Sequence, residues 1–132
     1  MNPAERNKPM SSYILVVEDD RDLRETLLDA LALEGYAAEG AEHGAAALRH
    51  LRAAAAPPCL ILLDLMMPVM DGWTFRKALL DDPALSRIPV VVMTAAGKQG
   101  MPIPPAELVL HKPLHLDRVV EVLQDHCPDQ SP

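Results

Sequence analysis

Apolar residues in this chain come in short runs separated by polar turns, and the runs alternate with stretches of helical spacing. Tyr13-Ile14-Leu15-Val16-Val17 is β-branched and apolar and predicts a strand leading into three carboxylates, Glu18-Asp19-Asp20. From about Arg21 to Glu34, Leu23, Leu27 and Leu31 recur at four-residue spacing with Ala30 beside them, which predicts an amphipathic helix. Asp20 suits its N-cap, Asp22 its first turn and Gly35 its end. Tyr36 to Ala41 predicts a weak second strand and Glu42-His43-Gly44 a turn. Ala45 to Ala55 predicts an alanine-rich helix with Leu48 and Leu51 inward, stopped by Pro57-Pro58.

The run Cys59-Leu60-Ile61-Leu62-Leu63 reads as a strand buried on both faces, and it delivers Asp64 to its carboxyl end. A loop from Met67 to Gly72 follows. Asp71 caps a predicted helix reaching about Leu80, with Phe75 and Leu79 inward. Pro83 and Pro89 bracket an irregular link. Val90-Val91-Val92-Met93 is another buried strand, ending at Thr94. Between Ala95 and Ala106, Gly97, Gly100, Pro102, Pro104 and Pro105 leave no room for a regular helix of normal length. Leu108-Val109-Leu110 is a short strand before His111-Lys112-Pro113. The last helix starts near His115 or Leu116, with Leu116, Val119, Val120 and Leu123 as its apolar stripe and Pro128 as its stop. Strands and helices alternate five times, with one helix in doubt. That pattern predicts an α/β fold, a parallel sheet covered by helices on both faces and joined by right-handed crossovers.

The 132 residues, 49% of them hydrophobic, suffice for one domain with a real core. That domain is expected over 13–127, with a loose tail at 1–12 and another at 128–132. No apolar run approaches a membrane span, and the polar N-terminus lacks the apolar centre of a signal peptide. A net charge of −7 argues against nucleic acid and against an anionic membrane surface as partners. Cys59 and Cys127 lie far apart, and no disulfide framework is indicated. Cys59 is expected as a reduced, buried thiol and the protein as cytoplasmic. His111 and His115 do not match a metal-ligand set and read as surface residues.

Four predicted strands place a polar group just past their carboxyl ends: Glu18 and Asp19, Asp64, Thr94 and Lys112. In a doubly wound sheet these ends share one edge and meet in one crevice. Two carboxylates about 4 Å apart repel by roughly 4 kcal/mol at an effective dielectric near 20. Three of them need a cation or a proton. Lys112 supplies one charge, and a hard divalent ion such as Mg2+ suits the rest. A metal beside a free carboxylate fits phosphoryl transfer, with the carboxylate as covalent acceptor. The plainer alternative makes Asp64 a strand-end turn residue, Thr94 an ordinary hydroxyl and Lys112 a structural counter-ion.

Taken together, Val16-Val17-Glu18-Asp19-Asp20, Leu63-Asp64-Leu65-Met66-Met67-Pro68 with Asp71-Gly72, Met93-Thr94-Ala95 and His111-Lys112-Pro113 resemble the receiver domain of bacterial two-component response regulators. The resemblance covers about Tyr13 to Leu123. It implies a flavodoxin-like sheet of order 2-1-3-4-5, with Asp64 as the phosphorylated aspartate. It implies Mg2+ held by Glu18, Asp19, Asp64 and the backbone carbonyl of Met66. Thr94 would follow the phosphoryl group, Lys112 would pair with it, and Pro113 would follow in a cis peptide. The donor would be a histidine kinase or a histidine phosphotransfer protein, docking near Leu114, His115 and the start of the first helix. The readout would be an unidentified downstream protein. Such a domain is no enzyme beyond its own phosphorylation and dephosphorylation.

Two departures stand out. Thr94 and Lys112 are only 18 positions apart, so the family's fourth helix is expected to be shortened, remodelled or disordered. Val109 stands where relatives often carry an aromatic switch residue, so that rotamer switch is absent. Because the usual dimer face includes the altered helix, a monomer is expected. Met66 and Ala96 lie where relatives tune water access, and a slow loss of phosphate is expected. Trp73 reads as a packed residue that could report on the site. A stand-alone receiver and one cut from a longer protein both stay open. Two rivals are a pseudo-receiver that is never phosphorylated and an aspartate-nucleophile phosphatase. Met66, where such a phosphatase carries its second acid, counts against the latter.

Overall fold

The computed structural model describes residues 13–95 and 102–127. The expected tails at 1–12 and 128–132, together with Ala96, Gly97 and Gly100, lie outside the described residues. Five strands, β1 (Tyr13–Val17), β2 (Ala37–Ala41), β3 (Leu60–Asp64), β4 (Val90–Thr94) and β5 (Leu108–His111), form one parallel sheet in the order β2-β1-β3-β4-β5. The described helices are α1 (Arg21–Leu33), α2 (Gly44–Ala53), α3 (Gly72–Asp81) and α4 (Leu116–His126).

The continuous apolar runs form β1, β3 and β4, all buried along their whole length. The alanine- and glycine-containing β2 is an edge, mostly exposed. Alternate residues feed two cores, as the two-residue period of a strand requires. Leu15, Val17, Ile61 and Leu63 pack with Leu48 and Leu51 of α2 and Phe75 and Leu79 of α3. Ile14, Val16, Leu60 and Leu62 pack with Leu27 and Leu31 of α1 and Val119 and Leu123 of α4.

The expected caps are present. Asp20 Oδ1 accepts from the N–H of Leu23 at 3.2 Å, and Asp71 Oδ1 from that of Thr74 at 2.8 Å. Gly35 leaves α1 with φ of 91°, a conformation that favours glycine. His43 also caps α2, its Nδ1 accepting from Ala46 N–H at 3.0 Å, which the turn reading of Glu42-His43-Gly44 missed.

Two expectations change. Cys59 is not a free thiol but bridges to Cys127, 68 residues away, with Cα atoms 5.4 Å apart. The α4 stripe is rotated: Val119 and Leu123 are buried and Val122 packs beside them, whereas Leu116 is exposed. Where the sequence left no room for a regular helix, Trp73 and Arg76 of α3 hold the described end of the β4–β5 connection. The Trp73 indole N–H donates to Pro102 O and Arg76 Nε to Pro105 O, both at 2.7 Å, and residues 102–107 form no helix.

Candidate functional site

The carboxyl ends of β1, β3, β4 and β5 bring the acidic and cationic residues to one edge of the sheet. Glu18 follows β1 and is fully buried. Its N–H donates to Ala41 O at 3.0 Å and its carbonyl accepts from Arg24 Nη1 at 2.9 Å, so the backbone is held from both sides. Its Oε2 accepts from Asp20 N–H at 3.2 Å, and its Oε1 lies 2.9 Å from Lys112 Nζ. Asp64 ends β3 and is 2% exposed. Its Oδ1 accepts from Met66 N–H at 3.2 Å, while Oδ2 lies 3.5 Å from the same Lys112 Nζ. Asp19 is exposed at the mouth, and Glu18, Asp19 and Asp64 each offer an oxygen within 4.8 Å of the others.

One lysine thus meets two of the three carboxylates, Glu18 and Asp64. Burial, then the hydrogen bond and charge of Glu18, push the Asp64 carboxyl up to about 7 against the pull of Lys112 and the Met66 N–H. Burial also pushes Glu18 up, but hydrogen bonds with Asp64, Lys112 and Asp20 outweigh it and hold Glu18 below its ordinary value. Burial pulls Lys112 down, and its two carboxylate neighbours more than offset this, so its net shift is upward. A pair of buried carboxylates, one driven toward protonation, with a third open to solvent, is a donor set of hard oxygens short of positive charge. It fits a divalent cation of the magnesium class.

The remaining expected residues sit around this cluster. Lys112 N–H donates to Thr94 O at 2.8 Å, tying β5 to β4 beside the site. The Thr94 hydroxyl is buried and donates to Ala95 O at 3.1 Å rather than toward Asp64. Lys112-Pro113 is a cis peptide. Val109 is half-buried and packs against the core on the α2–α3 side. Met66 has an exposed side chain. His111 and His115 are exposed, as expected of surface residues. The loop after Asp64 turns tightly at Val69, which has φ of 67° while Met70 N–H donates to Pro68 O at 2.7 Å. Gly72 then passes so close that a Cβ there would lie 2.6 Å from Leu65 Cα and 2.7 Å from Asp64 O. Sequence reasoning missed Arg24, whose reach to the Glu18 carbonyl has no local signature. The approach also depends on Gly40, where a Cβ would lie 3.0 Å from Arg24 Cδ.

A doubly wound parallel sheet with an acidic cluster and a lysine at its carboxyl edge defines a flavodoxin-like receiver architecture. The family model described as the response regulator receiver domain matches residues 14–124, and the chain belongs to that family. It is 47% identical over 92 residues to the response regulator PleD of Caulobacter vibrioides, a match spanning 69% of this chain and 20% of PleD. It is 40% identical over 93 residues to the transcriptional regulatory protein BaeR of Escherichia coli, spanning 70% of this chain and 35% of BaeR. The chain therefore spans between a fifth and about a third of these curated relatives. Among solved structures it resembles the signal receiver domain of a histidine kinase from Syntrophus aciditrophicus, with TM-score 0.74 and 28% identity over 87% of this chain and 89% of that one. It also resembles the chemotaxis protein CheY4 of Vibrio cholerae, with TM-score 0.73 and 25% identity over 88% of this chain and 98% of that one. Receiver domains take phosphoryl groups from histidine kinases, signal to downstream partners and are not turnover enzymes. Among the described residues no helix is long and apolar enough to cross a membrane.

Proposed function

We propose that this chain accepts a phosphoryl group on Asp64 from a phosphohistidine donor, a histidine kinase or a phosphotransfer protein. The observation that carries this reading is the convergence of Glu18, Asp19, Asp64 and Lys112 at one sheet edge, a three-carboxylate cluster in which Lys112 pairs with Glu18 and Asp64. Glu18, Asp19, Asp64 and the Met66 carbonyl would hold Mg2+. When bound, that ion supplies positive charge against the carboxylates and the incoming phosphoryl oxygens. Lys112 pairs with Asp64 Oδ2, and the Met66 N–H fixes Oδ1, so the acceptor is oriented before a donor arrives. A carboxylate oxygen of Asp64 attacks phosphorus, the P–N bond to the donor imidazole breaks, and an acyl phosphate forms. Lys112 then offsets the added charge of about −1.5 to −2. Thr94 turns from Ala95 O toward the new phosphoryl oxygens, which changes the chain leading into the β4–β5 connection.

The donor would dock in a groove of about 470 Å³ between α1 and the β5–α4 loop. Leu23, Leu27, Pro113, Leu114 and Leu116 line it, and Asp20 and Lys112 mark its end nearest the site. An apolar groove opening beside the acceptor suits the helix that presents a phosphohistidine. Downstream signalling goes by protein contact or by passing the phosphoryl group along a relay, and a monomer suffices for either. Incubation with a labelled phosphohistidine protein and Mg2+ tests the reading. Label should move to this chain as a hydroxylamine-sensitive acyl phosphate, and Asp64→Asn should abolish the transfer. Label on the Asn variant, or transfer unaffected by chelator, overturns it.

A further inference from the structure

The Cys59–Cys127 bridge lies outside the site at the sheet's carboxyl edge. Cys59 immediately precedes β3, so it sits at the amino edge of the sheet, and Cys127 is the residue after α4. Apart from this bridge, α4 is weakly anchored. Its buried side chains are Val119 and Leu123, and Leu116 in its first turn is 36% exposed. His115 gives the helix no side-chain cap. The bridge is therefore the one covalent hold on a helix otherwise anchored by Val119 and Leu123, with Val122 packed beside them.

The surroundings suit the reduced state as well as the oxidised one. Cys59 Sγ lies 3.3 Å from Tyr13 O, an acceptor for a thiol S–H. Cys127 is 2% exposed among the apolar residues of the α1–α4 core, where a thiol behaves as a small hydrophobe. Access is one-sided, because Cys59 is half-buried and Cys127 is buried. Both cores are built mainly from aliphatic side chains other than the two cysteines, unlike small domains that fold only through disulfides.

We propose that Cys59 and Cys127 form a reversible thiol–disulfide exchange site that sets how firmly α4 is anchored. A small thiol of the glutathione class attacks Cys59 Sγ as thiolate. The bridge breaks, the Cys127 sulfur leaves and takes a proton, and a mixed disulfide remains on Cys59. A second thiol displaces Cys59, giving two protein thiols and one oxidised small-molecule disulfide. The protein gains two electrons and two protons, which the two small thiols lose. The oxidised small disulfide runs the sequence backwards.

The test uses the unmodified chain without denaturant, in millimolar reduced and then oxidised glutathione. Thiol alkylation with intact mass reads the bridge, and hydrogen exchange reads residues 116–127. The bridge should open and re-form, and opening should speed exchange in α4 about tenfold or more while α1 stays unchanged. Cys127→Ser treated with oxidised glutathione should carry one adduct, on Cys59. The Cys59→Ser/Cys127→Ser variant should exchange fast in either buffer, and if it fails to fold, the unmodified chain still gives the reading. A bridge absent from the native protein, one that opens only on unfolding, or α4 exchange unchanged by opening overturns the proposal. None of these readouts depends on Asp64 chemistry.

Discussion

Replacing Asp64 by asparagine removes one negative charge while keeping the acceptor oxygen that meets the Met66 N–H. Asp64 has a folded value of about 7 against an ordinary value of 3.8. A carboxyl raised in this way contributes stability that is fully present below its unfolded value and is lost as the pH climbs through its folded value. The loss therefore accumulates from about pH 4 to about pH 7, at roughly 1.4 kcal/mol per pH unit, and levels off near 4 kcal/mol. Glu18 moves the other way, its value lowered by the same contacts. That contribution is present above its unfolded value and offsets part of the loss. In chelator at pH 8, Asp64→Asn should be more stable than the unmodified chain by less than about 4 kcal/mol, or up to about 2 M in urea midpoint for a slope near 2 kcal/mol/M. The gap should shrink toward pH 4. Added Mg2+ should stabilise the unmodified chain far more than the variant, since only a folded, charged pocket binds it. An Asn variant no more stable at pH 8, or a gap that does not grow with pH, refutes the electrostatic picture of the pocket.

Two further substitutions test how the pocket is built. Lys112→Met leaves Glu18 and Asp64 without their shared cation, whose Nζ lies 2.9 and 3.5 Å away. It should cost roughly 2–3 kcal/mol at pH 7, read by urea denaturation, and less at pH 4, where Asp64 is protonated. Gly72→Ala would place a Cβ 2.6 Å from Leu65 Cα and 2.7 Å from Asp64 O, both backbone atoms that cannot yield cheaply. It should destabilise by about 2 kcal/mol or more and weaken Mg2+ affinity, measured by calorimetry, because the clash bears on the residue that ends β3.

The buried strands and the site were legible because both are encoded locally. An unbroken run such as Leu60-Ile61-Leu62-Leu63 has no polar face to give to solvent, so it belongs inside a parallel sheet and carries Asp64 to the carboxyl edge. The same logic brings Glu18, Thr94 and Lys112 to that edge, each at the carboxyl end of its strand. Side-chain direction was less legible. The Thr94 hydroxyl turns to Ala95 O, a choice made by a neighbouring carbonyl and not by strand pattern. On α4, Leu116 and Val120 fit the helical period as well as Val122 does, and the bridge at Cys127 helps fix which face turns inward. The bridge itself joins residues 68 apart, with nothing local to pair them. The hold of Trp73 and Arg76 on Pro102 and Pro105 is likewise long-range, and the glycine- and proline-rich composition announced only that a regular helix would fail there.

Intact mass after incubation with acetyl phosphate and Mg2+, beside an Asp64→Asn control, tests the phosphoacceptor role most directly. One phosphoryl adduct that requires Mg2+ and is missing from the control is the expected result. A folded protein that gains no adduct, or a control that gains the same one, would contradict Asp64 as the acceptor.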